Sequence, residues 1–160
     1  MKRGAAAAQS VASPARQVAG FIAKFDPQIA RLLTASRRSL RRKFPTAVEL
    51  VYDNYNALAM GLGPNERTSE VFVSLAGFPR GVCLYFVQGK RLPDPRGILE
   101  GKGNQGRFIR LQRVAQLDEP AVAQLLRAAA RFGKTPLPRS GRGYTVVKSI
   151  SAKQRPRRPL

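Results

Sequence analysis

Hydrophobic positions change their period twice along this chain, and the changes mark out its elements. Val18, Phe21, Ile22 and Phe25 recur at the i, i+3, i+4, i+7 spacing of one helical face. Ser13 and Pro14 ahead of them supply an N-cap and a first helical residue, since proline lacks the amide left unpaired there. Asp26 and Pro27 restart the pattern, and Ile29, Leu32, Leu33 and Leu40 carry a second stripe to about Lys43, before Pro45. From there the period falls to 2. Val48–Tyr52 and Ala57–Leu62 read as strands, and Val71, Val73 and Leu75 alternate with Phe72 and Ser74. A turn at 77–81 leads into Val82–Val87, apolar on both faces and so a central strand. Arg107–Leu111 is a last strand. The helical period then returns: Asp118, Glu119 and Pro120 open a helix whose face is Val122, Leu125, Leu126 and Ala129, and Gly133 stops it. Short links between the strands favour antiparallel neighbours. The expected fold is α+β: two N-terminal helices, an antiparallel sheet of about five strands, and one C-terminal helix packed on the sheet.

Composition sharpens this picture mainly through charge. The 160 residues suit one domain, and 29 Lys and Arg against 9 Asp and Glu give a net charge of +20. Residues 1–20 and 133–160 contain no acid, although they hold eleven of the basic residues. The chain therefore divides into a basic Ala-rich extension (1–17), the α+β domain (18–132) and a basic, Pro- and Gly-containing tail (133–160) expected to be flexible. Lys2 and Arg3 ahead of Ala5–Ala8 imitate a secretory signal, but Gln9 and Ser10 interrupt the apolar run too early. The longest apolar run, Val82–Val87, is far short of the roughly 20 residues a bilayer span needs. One cysteine, Cys83, excludes an intramolecular disulfide and suits a reducing compartment, so a cytoplasmic location is expected.

Catalysis finds little footing. There is no histidine, which removes imidazole chemistry. Cys83 lies in the most apolar strand and reads as a small hydrophobe. No spacing of carboxylates argues for an acid–base pair, and Asp94 between two prolines is most simply a turn former. The expectation is a binding module that is not an enzyme and needs no cofactor.

Three basic groups are candidates to hold anions. Arg37, Arg38, Arg41, Arg42 and Lys43 crowd the end of the second helix, more cations than the helix dipole needs, with like charges at i, i+4. Lys102 and Arg107 flank Gly101–Gly106, which satisfies G-x-G-x-x-G. A strand rather than a helix follows, so a turn with a modest anion-binding concavity is expected instead of a dinucleotide site. Lys153, Arg155, Arg157 and Arg158 in the tail can lie along phosphates, releasing counterions. DNA or RNA is the expected partner. Anionic membrane ranks lower, because no long amphipathic basic helix accompanies the tail.

The run Leu92-Pro93-Asp94-Pro95, then Leu99-Glu100-Gly101-Lys102-Gly103 and Arg107, resembles the YdhG-like domain family over about residues 18–132. That resemblance implies an α+β fold. It also implies the alternative role held by some members, a frataxin-like intracellular iron chaperone. Iron prefers clustered oxygen ligands, and the acids that could form such a cluster here are Glu49, Asp53, Asp94 and Glu100.

Overall fold

The computed structural model describes residues 12–160; residues 1–11 of the expected N-terminal extension lie outside them. Helix α1 (Pro14–Ala23) begins as its sequence dictates, with Ser13 Oγ accepting the amide of Arg16 at 3.3 Å. Helix α2 runs Pro27–Lys43 and α3 Pro120–Phe132, each with proline in its first turn. Asp118 is not part of α3: it closes a 3-10 turn over Val114–Asp118, and Glu119 is the residue before the helix.

The strands are β1 (Val48–Asp53), β2 (Leu58–Gly63), β3 (Val73–Phe78), β4 (Gly81–Phe86), β5 (Arg107–Leu111) and β6 (Thr145–Ile150). The first five form an antiparallel meander, the short turns β1–β2 and β3–β4 being hairpins. The sixth departs from expectation. β6 comes from the segment expected to be a flexible tail, and it pairs in parallel with β1 at the far edge, giving the order β5-β4-β3-β2-β1-β6. The sheet is therefore six-stranded and mixed. The chain reaches that edge by crossing the molecule through α3.

All three helices cover one face of the sheet. In register across it stand Val51, Met60, Leu75, Leu84 and Ile109, all buried. They meet Val18, Phe25, Leu33, Val122 and Leu126 from the helices in one continuous core. Two charged residues share this inward face of β1, Glu49 and Asp53, at alternate positions with Val51, and both are buried.

The opposite face is covered only over its β1–β2 part, by the segment 64–72. There Val71 lies so close over Gly61 that a Cβ would stand 2.8 Å from Val71 Cγ1. Tyr52 and Thr68 share a hydroxyl hydrogen bond on the same side. Over β3, β4 and β5 the outer face is only flanked, by Gly106 against the Tyr85 hydroxyl and Gly101 beside the Phe108 ring. β4 is thus an internal strand, but not one buried on both faces: Tyr85 is exposed and Cys83 half-buried.

Candidate anion-binding cleft and the fate of the charges

The two buried acids of β1 decide how the C-terminal segment is held. Arg37, on α2, grips Glu49 with both ends of its guanidinium, Nε to Oε2 at 2.9 Å and Nη2 to Oε1 at 2.8 Å. Thr145 Oγ1 donates to the same carboxylate at 2.8 Å, so Glu49 joins α2, β1 and β6. Four residues along β1, Asp53 receives Lys24 Nζ at 2.7 Å and Arg157 Nη2 at 2.9 Å. Arg157 is itself buried, donates to the carbonyl of Asn54 at 2.5 Å, and lies over the Phe25 ring. Burial pushes the Asp53 carboxyl upward, but hydrogen bonds from Lys24, Gln154 and Arg157 outweigh it and hold the group below its ordinary range. A charge this deep is tolerable because it is paired and hydrogen-bonded, to an Arg157 nearly as buried as itself.

These contacts distribute the expected anion-binding residues unevenly. Arg37 is neutralised by Glu49, Lys43 by Asp118 at 2.5 Å, and Arg157 by Asp53. Arg158 reaches the carbonyl of Lys24 at 3.3 Å and the carboxylate of Asp26 at 3.8 Å. Arg155 stands over the Tyr55 ring, and Lys153 is exposed. In the glycine loop, Arg107 Nη1 donates to the carbonyls of Gly103 and Gly106, at 2.7 and 2.6 Å, so its charge closes the loop. Lys102 is exposed beside it. The strand β5 follows the loop directly, the context that argues against a dinucleotide site.

Three of the expected residues remain, and they converge. Arg38, Arg41 and Arg42 share a face of α2 at the i, i+3, i+4 spacing and line a cleft of about 490 Å³. Its other lining residues include Thr34, Arg37, Phe44, Ala47, Arg142 and Gly143, and no acid among those described. Arg142, a residue that no sequence pattern singles out, comes from the segment leading into β6. Its approach depends on Gly143, whose amide donates to the Pro45 carbonyl at 2.8 Å and whose missing side chain leaves room for the Ala47 carbonyl. Arg38, Arg41, Arg42 and Arg142 have no ion-pair partner among the described residues. One cleft therefore gathers four uncompensated guanidinium groups, each able to bind phosphate or carboxylate oxygens in a two-pronged fashion.

The acids considered for iron are not brought together. Glu49 and Asp53 are committed to basic partners. Asp94 accepts the amides of Ile98 and Leu99 at 3.0 and 2.9 Å, the turn-forming role its flanking prolines suggest. Glu100 is exposed, 3.7 Å from Arg110. Among the described residues no group of three or more potential ligands could hold a metal ion, and these four do not fit a hard cation. No described helix is long and apolar enough to cross a membrane. No family model, curated protein or solved structure matches the chain.

Proposed function

We propose that the protein is a non-catalytic binding module for polyanions, nucleic acid foremost, and that the cleft at the end of α2 holds their phosphates. One observation carries the reading: Arg38, Arg41, Arg42 and Arg142 meet in one cleft that no acid among the described residues lines, whereas Arg37 and Arg157 are each paired with a buried carboxylate. Like charges held together on one face repel one another. A bound polyanion relieves that repulsion and gains entropy by releasing its counterions. The lone cysteine fits a reducing compartment, where such a partner is at hand.

Fluorescence anisotropy of labelled DNA and RNA, across about 50–200 mM salt, tests the proposal. The expected result is an affinity that falls steeply with salt. Replacing the four cleft arginines by glutamine should flatten the slope by about 0.9 for each phosphate that is no longer held. Binding that ignores salt, or a slope unchanged in the fourfold variant, would overturn it.

A further inference from the structure

The part of the sheet left open opposite the helices has a definite pattern. Two rows cross it in register. One runs Ser74, Tyr85, Phe108, starting beside Gly61, which Val71 covers; the other runs Ala59, Ala76, Cys83, Arg110. Small side chains on β2 and β3 make a floor, and the larger ones on β4 and β5 make a wall, around a depression of about 690 Å³. Tyr85 and Phe108 are directly opposite each other on adjacent antiparallel strands. Phe78, at the end of β3, is exposed on the same face.

Charge at the rim narrows what this apolar surface suits. Arg80 and Arg110 border it, both exposed. The Arg110 guanidinium lies 5.8 Å from the centre of the Phe108 ring. Its one carboxylate neighbour, Glu100, is 3.7 Å away and half exposed, a contact of little energy. An occupant must therefore offer flat apolar surface and negative charge together. A second copy of this chain brings +20 of its own and the same two arginines, so it fits poorly. A duplex hides its bases. An unpaired strand offers both, since every base has a face to stack and a phosphate beside it.

We propose that the open face of β2–β5 is a stacking platform for the bases of single-stranded nucleic acid. Tyr85 and Phe108 take the bases, while Arg110 and Arg80 meet the adjoining phosphates. This is a second surface, separate from the α2 cleft, and it rests on the polyanion reading only for the class of partner.

The test compares two labelled strands of about 12 nucleotides: oligothymidylate, and a backbone of equal length and charge without bases. The wild-type chain should bind the strand with bases about tenfold tighter or more. Tyr85→Leu with Phe108→Leu, which keeps apolar surface but removes both rings, should erase that preference and leave the salt slope intact. Tyr85→Phe, which keeps the ring, should retain it. Equal affinity of the wild type for the two strands would overturn the platform, and so would a preference that survives the double leucine variant. Tight, salt-sensitive binding of the baseless strand with no preference would leave the cleft standing and remove the platform alone. No binding of either strand would remove both. Self-association of the wild type that Tyr85→Leu abolishes would give the face to a second copy and overturn the platform as well. If the leucine variant fails to fold, the wild-type comparison still decides.

Discussion

The end of α2 and residues 151–160 look alike in sequence, each a short run crowded with arginine, yet the structure uses them in opposite ways. Residues 151–160 are part of the folded body: Arg157 is as buried as a core residue, and Gln154 and Arg158 tie the chain back to β1 and α1. Most of the cations at the end of α2 have no such anchor. What separates the two regions is the location of acids, because Asp53 and Glu49 lie on the inward face of β1 and each recruits the arginine its strand position can reach. Positive charge becomes structural where a buried carboxylate waits for it. At Arg38, Arg41 and Arg42 no such carboxylate waits among the described residues, and their charge stays free.

Removing one member of the buried pair should produce the largest effect. Arg157→Ala leaves Asp53 with Lys24 as its one ion-pair partner and is expected to cost about 3–5 kcal/mol in urea denaturation. A loss under about 0.5 kcal/mol, the usual scale of a surface change, would make the C-terminal segment no more structural than the α2 arginines and erase the contrast.

Acid should act on the same contact. The folded Asp53 carboxyl sits below its ordinary value of 3.8. Its stabilising contribution is therefore complete above the unfolded value and is lost as pH falls through the folded one. The urea midpoint of the wild type is expected to drop below about pH 4 more steeply than that of Asp53→Asn, which has no such proton to take up. Parallel curves would mean that Asp53 is not held ionised by its partners.

Gly143→Ala sharpens the comparison at the join between the two regions. A Cβ there overlaps the Ala47 carbonyl, so the segment carrying Arg142 must shift. The expected cost is about 1–3 kcal/mol, together with weaker polyanion binding, although no charge has changed. Unaltered binding would exclude Arg142 from the cleft's function. Smallest of all is the effect of Arg38→Gln or Arg42→Gln on the fold. Each relieves a like-charge pair and should raise stability by about 0.2–0.5 kcal/mol while weakening binding.

Much of this architecture is legible in the chain. The three helices and five meander strands follow from periodicity and proline placement because their apolar faces are long and regular. β6 is not legible in the same way. Val146 and Val147 sit between Gly143 and Lys148 in a basic stretch, and the partner strand is remote, with Glu49 and Thr145 separated by 96 positions. An edge strand with half-buried side chains needs no strong apolar run. The open outer face of β4 has a related cause: an apolar strand reads as buried on both sides unless the missing cover can be seen.

The site divides similarly. Arg38, Arg41 and Arg42 are visible as a charge cluster on one helix. Arg142 is not, since only the crossover through α3 brings it there. The buried pairs are not legible: Glu49, Val51 and Asp53 alternate with the more apolar Val48, Leu50 and Tyr52, so the pattern turns the acids outward, whereas the structure turns them toward the helices.

The most direct measurement sets two charge-matched variants side by side. One replaces Arg38, Arg41, Arg42 and Arg142 by glutamine. The other replaces Arg96, Arg127, Arg131 and Arg139, which are exposed and lie outside the cleft. Both lose the same charge, and nucleic-acid affinity is read against salt for each. A slope that flattens in the cleft variant and holds in the scattered one is the expected result. Equal loss in both would reduce the binding to net charge and contradict a phosphate site at the end of α2.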